Sequence, residues 1–197
     1  MRAYKAFKPD LICISGSNKY QYRKGIINRE REANCVKNGM HCAENPLDCL
    51  SYYSWQGNVF YLVEAGGDVD EDGTDSKISC TELTLVEELS LKRFVEEAVK
   101  YIIRYPDRPY QIRSGKVRVC METGMAECGG AVIIRGKHPG IAKEEETVLA
   151  AISDTIEHGS VIAVIKEEPD SQRIQKAHII TRGEVVWVYE GGAYRER

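Results

Sequence analysis

The sequence predicts an α+β protein in two parts: a mixed N-terminal domain over residues 1–106 and a β-rich C-terminal domain over residues 111–197. Three observations predict this. SLKRFVEEAVKYIIRY carries an apolar stripe at helical spacing. NVFYLVEA and KISCTELTLVEEL have the length and the β-branched, aromatic content of paired strands. YPDRPY, with two prolines in four residues, marks a boundary beyond which the texture changes. At 197 residues, 43% of them hydrophobic, the chain has material for one large domain or two small ones.

In chain order, residues 3–14 hold two short apolar runs around Lys8-Pro9-Asp10, and YQYRKGIIN places tyrosines before Gly25 and isoleucines after it. Both patterns predict strand, turn and strand. In NGMHCAENPLDCLSYY, Asn45 is suited to cap a helix, Pro46 to the first helical position and Asp48 to the first turn, so a short helix is expected from Pro46 to about Ser54. Cys42 lies before that cap, so Cys35, Cys42 and Cys49 do not share a helix face. Gly57-Asn58 turns the chain into NVFYLVEA, and GGDVDEDGTDSK joins it to KISCTELTLVEEL as a hairpin with an acidic tip. Ser90 is the expected cap of the long helix, whose stripe is Leu91, Phe94, Val95, Ala98, Tyr101, Ile102 and Tyr105, and which ends before Pro106.

Beyond the boundary, glycines at 115, 124, 129, 130, 136 and 140 separate short segments of small and β-branched residues, a pattern suited to a β-solenoid or a meander. AKEEETVLAAISDTIEH competes as a helix through Val148, Leu149, Ile152 and Ile156, and periodicity slightly favours the helix there. GSVIAVIKEE and KAHIITRGEVVWVYEGG predict three closing strands, with Gly183 in the last turn.

Composition narrows the function classes. Net charge is −3, from 27 basic and 30 acidic residues, so no global field favours nucleic acid or an anionic membrane. No apolar run exceeds five residues, so neither a membrane span nor a secretion signal is expected. Seven cysteines, an odd number without tight pairs, predict free thiols and a cytoplasmic location.

GMHCAENPLDCLSYY resembles the GFHACENPLDCL segment of an uncharacterised domain family found in phages and bacterial genomes. The resemblance extends over residues 1 to about 100. AYKAF is similar to the family's opening AWKGF, YQYRKG to its aromatic-x-Tyr hairpin strand, and Asp75-Ser76-Lys77 to a recurring Asp-Ser-Lys after the hairpin tip. The sequence departs at Ala6, usually Gly, and at Met40, usually aromatic. Many members continue into small-residue repeats and a strand-rich end, of which CMETGMAECGG and ETVLAAISDTIEHGSVIAVI resemble a diverged version. The resemblance therefore implies a β-solenoid over residues 114–159 in place of the helix, and a phage or prophage setting. It implies no reaction.

Candidate sites follow from residue chemistry. His41, Cys35, Cys42 and Cys49 are soft ligands without CxxC or HxxxH spacing, so packed thiols are expected in place of zinc. Asp68, Asp70 and Asp72 before Gly73 begin like a calcium loop, but Ser79 stands where a bidentate Glu is needed; a solvated acidic tip is expected and no metal site is predicted. Residues 1–31 hold eight basic residues against two acidic ones, with tyrosines interleaved, which suits nucleotide or nucleic-acid binding or equally a charged hairpin face. The order of elements is similar to that of ADP-ribosyltransferases, a similarity that implies His41 with Tyr52 or Tyr53 as NAD clamps and Glu82 as the acid. Neither a G-x-S-x-G elbow nor a P-loop occurs.

The expectation is a non-enzymatic binding or interaction protein of phage or prophage type, an accessory or anti-defence factor engaging a host component, without cofactor or membrane. Its partner is expected to be a host or phage protein. The candidate contact segment is Asp75, Ser76 and Lys77, and exposed solenoid edges leave room for homo-oligomers.

Overall fold

The computed structural model describes residues 1–15, 18–35, 37–71, 73, 75–108, 115–139, 160–168, 174–181 and 184–196. Among them 53% are strand and 13% helix, with two helices and three sheets, so the fold is mainly β and the expected α+β class is corrected. The physical reason lies in the distribution of signal. A helix announces itself over many residues, whereas most of these strands are three to eight residues long and individually weak. The chain divides into two compact units, Met1–Ser90 and Leu91–Arg197.

In the first unit, β1 (Arg2–Phe7), β2 (Ile12–Ser15), β3 (Asn18–Gln21), β4 (Ile27–Arg29) and β5 (Met40–Ala43) precede a 3-10 turn, Pro46–Ser51. The long strands β6 (Val59–Glu71) and β7 (Lys77–Glu88) follow as the expected hairpin. β2 and β3 form their own hairpin. The main sheet closes on itself: β1 pairs with β5 and β6, and β7 also pairs with β5 and β6, all antiparallel. This ring of four strands, with β4 attached along β7, surrounds a core that includes Phe7, Met40, Tyr61, Val63, Ile78 and Leu83. Phe7 meets Tyr22 and Tyr61 edge to face, at 5.0 and 5.7 Å between ring centroids.

The short helix expected at Pro46 is the six-residue 3-10 turn. Asn45 caps it as its residue type demands, its side-chain oxygen accepting from the Leu47 N–H at 3.1 Å. The turn stops early because Tyr52 and Tyr53 both donate their N–H to the Cys49 carbonyl, which ends the i to i+3 pattern.

The second unit opens with α1 (Leu91–Arg104), which packs on the sheet strands that follow it. Phe94, Val95, Ala98, Val99, Tyr101 and Ile102 are buried along its stripe, and the buried Glu96 and Glu97 are paired with Lys92, Arg93 and Lys100. The strands β8 (Val117–Met121), β9 (Ala131–Gly136), β10 (Val161–Glu167), β11 (Ile174–Thr181), β12 (Glu184–Glu190) and β13 (Ala193–Glu196) form one sheet in the order β13-β12-β11-β10-β9-β8. β8, β9 and β10 run parallel, while β10 to β13 form an antiparallel meander. The solenoid is expected over residues 114–159, where the described strands β8 and β9 are parallel neighbours, and the antiparallel meander falls on the segment expected to supply the closing strands. The competing helix at 141–158 and the turn at Gly183 lie outside the described residues. No helix among the described residues is long and apolar enough to cross a membrane.

Candidate functional site

The seam between β5 and the 3-10 turn opens into a cavity of about 490 Å³. Its position follows from local chemistry. Gly39, just before β5, has φ +86, and a Cβ there would meet the Ser79 hydroxyl and the Glu32 carbonyl at 2.2 and 2.9 Å, so only glycine lets the chain enter the sheet at this point. β5 then runs for four residues, registering His41 against Ser79 of β7, before Asn45 caps the turn that carries Tyr52 and Tyr53.

A polar clamp holds the turn against the end of the β6–β7 hairpin. Ser76, itself buried, donates its hydroxyl to Asp48 Oδ2 at 2.7 Å and accepts from the Asn45 N–H at 2.8 Å. Its carbonyl takes the Glu44 N–H, and Asn45 Nδ2 donates to Asp48 Oδ1 at 3.2 Å. The two motifs singled out in the sequence, ENPLD and Asp75-Ser76-Lys77, are thus two halves of one network. A network satisfied on both sides fixes a unique geometry. Asp75 accepts from the Lys77 N–H at 2.7 Å, and Lys77 Nζ donates to Tyr52 Oη at 3.1 Å while lying 5.3 Å from the centre of its ring.

Of the residues proposed as NAD clamps, His41, Tyr52 and Tyr53 all line the cavity. Glu82, the proposed acid, does not: it lies on β7 opposite Arg29 and pairs with it at 3.0 Å. Asp68 and Asp70 lie on the extended strand β6, where Asp70 accepts from the Cys35 N–H at 2.7 Å; Asp72 lies outside the described residues. No group of three or more His, Cys, Asp or Glu suited to a metal occurs among the described residues. In the Tyr- and Lys-rich segment before β4, Lys24 pairs with Glu88 at 3.1 Å, and Tyr20 and Tyr22 stand 4.7 Å apart.

Residues that sequence reasoning passed over complete the cavity wall. Lys5, at the centre of β1, is only 8% exposed, and its ammonium donates to the His41 carbonyl. It lies 5.1 Å from the Tyr22 ring and 5.3 Å from Phe7. Cys13 Sγ and Tyr53 Oη stand 3.8 Å apart. The available signal was Lys5 itself, a charge in the middle of the apolar strand AYKAF.

The electrostatics follow the burial. Tyr53 is pushed up to about 12, by burial first and by the neighbouring Cys13 second. Burial raises Tyr22 further, so both phenols stay protonated as donors. Cys42 is raised by its hydrogen bond with Cys80 and by burial, which makes it a packed thiol and not a nucleophile. His41 is lowered from 6.5 by burial, then by Lys5 and Lys77.

His41 makes stability depend on pH. Its folded form prefers the neutral ring, so its contribution is complete above pH 6.5 and is lost as pH falls through the depressed folded value. Urea midpoints measured by Trp55 fluorescence in a Trp187→Phe background should fall between pH 7.5 and 5, and His41→Gln should flatten that slope. An unchanged slope in His41→Gln would assign the effect to another group.

The comparisons with known proteins locate the same unit. Residues 1–97 match the family model described as "Domain of unknown function (DUF7666)", so this part of the chain is similar to an uncharacterised domain family. No curated protein and no solved structure matches the chain.

Proposed function

We propose that the unit Met1–Ser90 is a non-enzymatic binding domain that holds a small molecule in the cavity at the β5 seam. The observation that carries this reading is the cavity itself. About 490 Å³ lies within the range that accommodates small organic ligands, at a position walled by tyrosines with a few polar groups converging on it. Binding is preferred over NAD chemistry because Glu82, the acid that the similarity implies, is engaged with Arg29 and does not line the cavity. The phage or prophage setting implied by GMHCAENPLDCLSYY belongs to the same reading: an accessory or anti-defence factor acting on a host component, here a host small molecule. Seven free cysteines support a cytoplasmic place of action.

The test is to incubate the purified chain with a low-molecular-mass bacterial extract, wash by ultrafiltration, and identify what is retained by mass spectrometry. Cys13→Trp, which fills the cavity from β2, serves as the control. A compound retained unchanged by the native chain and lost in Cys13→Trp is the expected result. A compound consumed or converted would overturn the non-enzymatic reading, and equal retention by both chains, or none, would overturn the cavity.

A further inference from the structure

We infer that the cavity recognises a small organic oxyanion, a phosphate or carboxylate carried on a ring-bearing body, with Lys5 as the group that receives the charge; this rests on the binding reading above. Lys5 is only 8% exposed and lines the cavity. Its hydrogen-bond acceptor among the described residues is the His41 carbonyl, and no described carboxylate pairs with it. Taking an ammonium out of water is expensive unless something compensates it, and one carbonyl with two ring faces is weak compensation for three N–H donors. An oxyanion entering the cavity would complete the shell.

The remaining wall supports the same sign of charge. Lys37 and Lys77 line the cavity with Lys5, and His41 lines it as a neutral ring that can hydrogen-bond. Against them stand Glu30 and Asp48, and the Asp48 oxygens already accept from Ser76 and Asn45. Tyr53, kept protonated, offers a hydroxyl to an anion, and the other tyrosines offer ring faces to the body that carries it. A buried cation positioned this way gives specificity as well as affinity, because a neutral analogue would leave it unpaired.

The test uses the full chain with four probes at constant ionic strength: inorganic phosphate, AMP, benzoate and adenosine. Calorimetric titration should show AMP or benzoate binding, phosphate competing if the phosphoryl arm is the true one, and adenosine not binding. Lys5→Met should weaken anion binding by about thirtyfold or more. It should fold, since it replaces a buried charge by an apolar chain of similar length. A second readout needs no variant: alkylation of Cys13 in the cavity wall, followed by peptide mass spectrometry, should be slowed by the anion that binds. Adenosine binding as well as AMP, Lys5→Met binding anions as the native chain does, or no anion either binding or protecting Cys13 would overturn the inference. If the extract experiment meanwhile yields a neutral compound held by the native chain and lost in Cys13→Trp, the binding reading stands and only the anion assignment fails.

Discussion

Phe7→Ala is expected to lower the stability of the Met1–Ser90 unit by about 3–5 kcal/mol, as removal of a fully buried aromatic ring does when the site cannot collapse. Phe7 is fully buried, meets Tyr22 and Tyr61 edge to face, and lies beneath the Lys5 ammonium. Its loss would open a void in the middle of a strand ring whose members each have two neighbours, so no edge is free to relax inward. Trp55, stacked on Phe60 at 4.8 Å, reports on this unit, and urea unfolding followed in a Trp187→Phe background gives the measurement. Phe7→Leu should recover more than half of the loss. A loss below about 1 kcal/mol in Phe7→Ala would mean that the ring does not depend on its central aromatic cluster.

The second large effect concerns the other unit. Arg135 on β9 is buried, donates Nε to Glu167 Oε1 at 2.6 Å and Nη2 to the Pro106 carbonyl at 3.1 Å. In the parallel register Arg135 faces Ile165, so Glu167 is its diagonal neighbour two residues along β10. Arg135→Met should cost about 3–5 kcal/mol, because it strands a carboxylate in a place nearly closed to water. Joining it with Glu167→Leu should restore most of that stability, since the orphaned charge and not the lost attraction dominates. Trp187, itself buried, follows this unit in a Trp55→Phe background. If the double variant is no more stable than Arg135→Met, the pair contributes attraction that an apolar contact cannot replace.

What was legible in the sequence was local. The Asn45 cap, the hairpin of NVFYLVEA with KISCTELTLVEEL, and the helix after Ser90 each rest on residues within a few positions of one another, and each is found. The closure of the first sheet was not legible, because β1 pairs with segments some forty and sixty residues away and no short window contains both partners. The class was misjudged for a related reason: α1 is the clearest periodic signal in the chain but accounts for 14 residues, while many short strands accumulate without announcing themselves. At the site, the resemblance picked out Asp75-Ser76-Lys77 without a role. The structure gives Ser76 the task of bolting the turn to the hairpin and Lys77 that of holding Tyr52. Lys5 was missed because a single lysine in a strand usually reads as a solvent-facing residue, and only closure of the ring buries both faces of β1.

The closed ring also sets an order of assembly during synthesis. β6 and β7 can meet as a hairpin as soon as both have left the ribosome, but β7 is the strand that joins β6 to β5 and so completes the circuit. A nascent chain that ends just before Lys77 already contains every other residue of the cavity wall and still has no wall, because the strand that draws those residues together has not been made.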